Sequence, residues 1–191
     1  MKLFGITGGI GMGKSAAAEI LRARGVAVVD TDELARELTA PGQPALAEIK
    51  KTFGANIISP AGELRRSELA RLIFTDEAAR KKLEAILHPR IRERWLAQVA
   101  AWRKENQPMA AVVIPLLFET GAEAQFDEII CVACSAATQQ ARLSERGWTP
   151  AQIAARNAAQ WPVPRKMDAA HRILWSEGSL TSLAAQLALI F

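Results

Sequence analysis

Eight residues near the start of the chain, Gly8-Gly9-Ile10-Gly11-Met12-Gly13-Lys14-Ser15, have the spacing G-x-x-x-x-G-K-[ST]. That pattern builds a loop for nucleoside triphosphates: glycines let the backbone approach closely, and successive N–H groups from Gly11 to Ala16 converge on phosphate oxygens at the positive end of a following helix. Gly11, Met12, Gly13, Lys14, Ser15 and Ala16 are therefore the expected ATP contacts. Lys14 is expected to reach the β and γ phosphates, and the Ser15 hydroxyl to hold the Mg²⁺ that bridges them. The loop names a ligand but not a reaction, because kinases, switch GTPases and motor ATPases share it.

The reaction has to be read elsewhere. A second apolar run ends in Asp30-Thr31-Asp32. In an open parallel sheet the C-terminal ends of the strands meet at the ligand crevice. A carboxylate there can take the proton of an attacking hydroxyl or hold Mg²⁺ through water. From the residues alone, Asp32 either does this or caps the helix that follows, with Arg36 one turn on. Cys131 and Cys134 have a metal or redox spacing, but they lie within the apolar run Glu128-Ile-Ile-Cys-Val-Ala-Cys134, which reads as a buried strand. A zinc site would need two further ligands, and His88 and His171 are far apart in sequence, so packing is the better reading and no metal site made of side chains alone is expected.

The elements that would position these residues follow from the hydrophobic pattern. Short apolar runs at Leu3–Thr7, Val26–Asp30, Ala110–Pro115, Glu128–Cys134 and Arg172–Trp175 alternate with helix-like stretches. This predicts an α/β fold with a five-stranded parallel sheet. Ser15–Arg24 and Thr138–Arg146 are expected helices, each ending in basic residues before a glycine. The second and third strands are separated by a segment far longer than one crossover helix requires. Helices are expected there at Pro44–Phe53, Arg66–Phe74, Glu77–Leu87 and Pro89–Glu105, which reads as an inserted substrate subdomain. Trp95 and Trp102, seven apart on one helix, read as a packed stripe.

Composition sets the outer limits. The 191 residues are 50% hydrophobic and 23% charged, an ordinary folded protein with enough chain for a sizeable core. No apolar run is long enough for a membrane span and no signal region precedes the first strand, so the expected location is the cytoplasm. The net charge of +4 suits a polyanionic ligand, but the scattered lysines and arginines give no nucleic-acid footprint.

With these features assembled, the chain resembles the dephospho-CoA kinase family over nearly its whole length. The matching stretches are Thr7-Gly-Gly-Ile-Gly-Met-Gly-Lys-Ser15, Val29-Asp-Thr-Asp-Glu-Leu-Ala-Arg36, Leu87-His-Pro-Arg-Ile-Arg92, Ile114-Pro-Leu-Leu-Phe-Glu119, Gln139-Gln-Ala-Arg-Leu143, and Arg156-Asn-Ala-Ala-Gln160 with Lys166. The resemblance implies a P-loop nucleoside triphosphate hydrolase fold: a core at 1–32, 106–138 and 167–191, a helical CoA-binding insert at 33–105 and a lid at 139–166. It implies transfer of the γ-phosphoryl group of ATP to the ribose 3'-hydroxyl of dephospho-CoA, with Mg²⁺ required. Asp32 would then be the general base, with Lys14 and Arg142 in catalysis. Arg36, His88, Arg92, Leu116 and Glu119 would face the substrate. Arg146, at the start of the lid, fits a role at the nucleotide and a solvated helix face equally well.

The chain departs from the family pattern at three places. Met12 stands for the usual serine, where only the backbone N–H is expected to matter. Thr31 stands for alanine between the two aspartates. Near the end, Ala170-His171-Arg-Ile-Leu-Trp-Ser176 replaces Ala-Asp followed five residues later by Asn, which bears on the adenine contacts or the last strand. Two rival readings are a related kinase for another small acceptor, and a nucleotide-dependent switch protein. Against the switch, the chain has no Asn-Lys-x-Asp and no strand ending in a lone Asp.

Overall fold

The computed structural model describes residues 1–191, apart from the side chain of Thr75. The five apolar runs form strands β1 (Lys2–Thr7), β2 (Ala27–Asp30), β3 (Met109–Val113), β4 (Glu128–Ala133) and β5 (Arg172–Trp175). All pair in parallel, in the order β2-β3-β1-β4-β5. In β1, β3 and β4 every residue after the first is buried, which is why these strands read as continuous apolar runs and not as alternating ones. Ile6 lies opposite Val113 on one side and Ile130 on the other. The chain crosses from β1 to one side of the sheet and later returns to the other, so the loop after β1 sits at the topological switch point where such sheets bind ligands.

The helices are α1 (Lys14–Ala23), α2 (Thr31–Leu38), α3 (Pro44–Phe53), α4 (Arg66–Thr75), α5 (Glu77–Lys104), α6 (Ala136–Glu145), α7 (Pro150–Ala158), α8 (Val163–Ala169) and α9 (Leu180–Ala188). Their ends follow local chemistry. Ser135 caps α6 through Thr138 N–H at 3.1 Å, and Ser179 caps α9 through Ser182 N–H at 3.2 Å. Thr149 and Gln152 form a reciprocal capping box on α7, with Pro150 at its first turn.

The chain divides into two compact units, one of Met1–Asp30 with Val99–Phe191 and the other of Thr31–Gln98. In the first, Phe4, Ile6, Ala17, Leu21, Val113, Ile130, Leu174 and Leu187 form the core between sheet and helices. Each fully buried large side chain there stabilises the fold by roughly 1.5–3 kcal/mol. The second unit has its own core of Leu38, Ala45, Ile49, Ile57, Leu69 and Ile86. Trp95 and Trp102 are both buried, as their spacing predicts.

One element differs from its sequence reading. The two helices expected on either side of His88 are a single 28-residue helix, α5, with Pro89 inside it. Proline removes the N–H that would bond the Ala85 carbonyl. The neighbouring Ile86 carbonyl accepts from Arg90 Nη1, and Arg90 Nη2 pairs with Glu48 on α3 at 2.6 Å. Those anchors, with Ile86 in the core, hold the helix through a residue that usually ends one.

Two side-chain devices organise the sheet margin. Glu128 at the start of β4 binds Lys2 and Arg172, each at 2.7 Å. The hydrogen bond from Arg172, then that from Lys2, holds its carboxyl down to about 2. On β5, Trp175 N–H donates to Gln186 Oε1 at 2.9 Å, and Gln186 Nε2 donates to Trp175 O at 2.9 Å.

Candidate active site

The phosphate loop leaves β1 at Thr7, whose buried hydroxyl donates to Pro115 O at 3.1 Å. Gly8, Gly11 and Gly13 have φ of 144°, 72° and 92°, a region that side chains disfavour. A Cβ on Gly8 would also lie 2.1 Å from Val132 O. Lys14 Nζ donates to Gly8 O and Gly9 O, both at 2.9 Å, so the ammonium closes the loop on itself. Two further carbonyls have partners from outside the loop. Gln139 Nε2 donates to Ile10 O at 2.7 Å, and the Ser176 hydroxyl donates to Met12 O at 2.8 Å. Met12 N–H turns back to Gly9 O at 3.3 Å. Since N–H and C=O point oppositely across each planar peptide, holding the Ile10 and Met12 oxygens from outside turns the N–H groups of Gly11 and Gly13 toward the hollow of the loop.

That hollow opens into a cavity of about 250 Å³ lined by residues 10–16, Arg142, Arg146, Ser176, Gly178, Ser179, Leu180 and Leu183. The structure therefore brings together the expected ATP contacts Gly11, Met12, Gly13, Lys14, Ser15 and Ala16 with Arg142 of α6 and Arg146, the residue that follows that helix. Arg142 Nη1 donates to Ser176 Oγ at 3.0 Å, and Nη2 to Ser176 O at 2.6 Å. Ser176 is 5% exposed and joins two parts of the site: its hydroxyl serves the loop and the arginine at once. Glu177 accepts from Ser135 N–H, Ser135 Oγ and Thr138 Oγ1, securing the start of the helix that carries Gln139 and Arg142. Those bonds, that from Thr138 foremost, hold its carboxyl below the usual carboxylate range.

The 170–176 segment, flagged as a departure, is thus structural as well as site-forming. His171 Nδ1 accepts from Ile129 N–H at 3.0 Å while its own N–H donates to Ile129 O at 2.9 Å. Sequence reading found Ser176 only as a mismatch and missed Gln139 and Glu177 as anchors. The available signal was their placement after β4 and β5, at the strand ends beside the loop. The Met12 side chain also contributes more than its backbone: it is 4% exposed and packs with Ala133, Cys134, Val163 and Met167.

Other expected residues lie outside this cavity. Leu116 and Glu119 follow β3 in a turn segment and do not line it. Glu119 Oε1 instead accepts from Lys166 Nζ and Trp161 N–H, both at 2.8 Å. Lys166 is fully buried and also donates to Pro115 O at 2.7 Å, so it ties the segment after β3 to α8. Glu119 Oε2 is buried without a hydrogen-bond partner. Cys131 and Cys134 are buried and free, and burial pushes the Cys131 thiol up to about 11.

Asp30 closes β2 and is 5% exposed, whereas Asp32, second residue of α2, is exposed. Asp32, Arg36, His88 and Arg92 all belong to the second unit. His88 and Arg92 are one turn apart in the middle of α5, so His88 caps no helix start. The first unit can hold a polyphosphate on the loop with Lys14, Arg142 and Arg146 around it, and the Ser15 hydroxyl in the cavity lining suits a magnesium ion bound to that phosphate.

A family model described as dephospho-CoA kinase matches residues 2–182. A dephospho-CoA kinase from Thiobacillus denitrificans is 45% identical over 188 residues, covering 97% of this chain and 92% of its own. Among solved structures, TT1252 from Thermus thermophilus superposes with a TM-score of 0.82 at 34% identity, covering 99% of this chain and 95% of that one. The dephospho-CoA kinase from Campylobacter jejuni gives 0.71 at 25% identity, covering 100% and 96%. With a family match spanning almost every element that builds the loop, the cavity wall and the second unit, this chain belongs to the dephospho-CoA kinase family.

Proposed function

We propose that this member of the family moves the γ-phosphoryl group of Mg-ATP to the ribose 3'-hydroxyl of dephospho-CoA with Asp32 as the proton acceptor. The observation that carries the nucleotide half is the loop whose Ile10 and Met12 carbonyls are held from outside it, leaving the N–H groups of Gly11 and Gly13 for phosphate. Lys14 exchanges its two loop carbonyls for β and γ oxygens. Arg142, held by Ser176 at the cavity wall, neutralises charge that builds on the transferring group, and Arg146 adds a second cation there. Ser15, and Asp32 through water, would hold the magnesium ion, which would supply charge neutralisation on the phosphate oxygens.

In the transfer, the 3'-oxygen bonds to the γ-phosphorus as the bond from that phosphorus to the β–γ bridging oxygen breaks. The hydroxyl proton passes to the Asp32 carboxylate, and the products are CoA and ADP. The exposure of Asp32 and the burial of Asp30 favour Asp32 for this role. Arg36, His88 and Arg92 bind the acceptor from the second unit, and Leu116 with Glu119 shapes its approach. Residues 139–166 close over the nucleotide and exclude water. The chain acts in the cytoplasm; none of its described helices is long and apolar enough to cross a membrane.

The test is ADP release from Mg-ATP by the purified protein with dephospho-CoA, AMP or shikimate as acceptor. Stimulation by dephospho-CoA alone is the expected result. Stimulation by either of the others in its place would overturn the proposal.

A further inference from the structure

A buried ammonium gathers three parts of the first unit: the entry to the phosphate loop, the segment after β3, and α8. Lys166, on α8, is fully buried. Its Nζ donates to Pro115 O at 2.7 Å and pairs with Glu119 Oε1 at 2.8 Å. Pro115 O also accepts from Thr7 Oγ1 at 3.1 Å, one residue before the phosphate loop begins. Glu119 Oε1 also accepts from Trp161 N–H at 2.8 Å. Trp161 stacks on Phe118 with ring centroids 5.6 Å apart and an interplanar angle of 8°, and the Arg165 guanidinium lies 3.4 Å over the Trp161 ring. Residues 161–166 therefore grip residues 115–119 by stacking, a backbone hydrogen bond and an ion pair.

The sheet order says what this grip fixes. β3 lies between β1 and β2. The segment that leaves β3 therefore runs between the end of β1, which becomes the phosphate loop, and the end of β2, where Asp30 lies opposite Val113. Those strand ends form the ligand crevice of a parallel sheet. Tying Pro115 O to Thr7 and to α8 sets the spacing of that segment from the loop. The choice of lysine is informative too. Taking an ammonium and a carboxylate out of water is costly, and apolar side chains of similar size often hold a fold as firmly. What the charged pair adds is one defined geometry for a carbonyl and a carboxylate together.

We infer that Lys166 is a positioning residue for phosphoryl transfer: through Pro115 O it holds the segment after β3 in register with the phosphate loop, so that an acceptor meeting that segment is aligned with the γ-phosphoryl group. The inference rests on the reading of dephospho-CoA as acceptor. It is tested in the full chain with Lys166→Met, Glu119→Gln and the double variant, measuring melting temperature, the dissociation constant of ADP, and kcat with saturating Mg-ATP and dephospho-CoA. Lys166→Met leaves Glu119 buried without its counter-ion and should melt well below wild type. Glu119→Gln removes that charge, so the double variant should regain most of the lost melting temperature; it also covers the case of a single variant that does not fold. Its kcat should nevertheless stay roughly 10-fold or more below that of Glu119→Gln alone, as loss of a hydrogen bond from a charged donor does. ADP affinity should stay within about threefold of wild type, because Lys14, Gln139 and Ser176 still hold the loop. A double variant that turns over as fast as Glu119→Gln, that loses ADP affinity as far as kcat, or that does not regain stability would overturn the inference and leave Lys166 a tie for the fold. A wild-type protein that forms no CoA would instead overturn the reaction on which the inference depends.

Discussion

At the scale of the residue, Ser176 has an influence larger than its size. Its hydroxyl gives a proton to Met12 O and receives one from Arg142 Nη1, so Ser176→Ala unpairs a loop carbonyl and loosens a cavity cation together. Losing bonds of this kind costs about 1–2 kcal/mol, and kcat/KM for ATP should fall roughly 5- to 20-fold in steady-state kinetics. Asp32→Asn keeps size and removes the proton acceptor. Turnover should drop by roughly 10²-fold or more with ATP affinity nearly unchanged, and an equal loss in both would assign Asp32 to structure. The loop residues were legible because their types are dictated by backbone approach to phosphate. Ser176 and Gln139 were not, because a hydroxyl or an amide that holds a carbonyl has no spacing rule of its own; only the fold shows which strand end it sits on.

At the scale of the element, the five strands were legible as apolar runs and match the sequence reading to within a residue or two, because the sheet is covered on both faces. The exception on α5 has a physical cause. Local propensity places a break at Pro89, but Ile86 in the core and the Arg90–Glu48 pair outweigh it. Pro89→Ala restores one ladder bond and should raise thermal stability, by up to about 3 kcal/mol if the full helix penalty of proline is present; scanning calorimetry measures it, and a loss of stability would contradict the continuous helix. The pin on β4 gives a pH signature. Glu128 ionises near 2 in the folded chain and at its ordinary, higher value when unfolded, so its contribution is present above the unfolded pKa and fades as pH falls through the folded one. Glu128→Gln should therefore lower the melting temperature modestly at pH 6, with the gap to wild type closing as pH approaches 3.

At the scale of the whole molecule, ligand binding and stability are linked. A nucleotide that binds only the folded chain stabilises it by about 2.7 kcal/mol at a hundred times its dissociation constant. Mg-ATP should raise the melting temperature by several degrees, and Lys14→Ala should remove most of that shift in a thermal-denaturation assay. Helices in the long segment between the second and third strands were legible, whereas α7 and α9 carried cap signals that the apolar pattern did not reveal. One of these, α9, also settles how the sheet ends. The amide of Gln186 occupies a donor and an acceptor of Trp175 as a further strand would, on a strand whose Ile173 and Trp175 are exposed. A greasy rim is thereby denied its hydrogen-bonding template, and at high protein concentration neighbouring molecules meet a finished border in place of an invitation to polymerise.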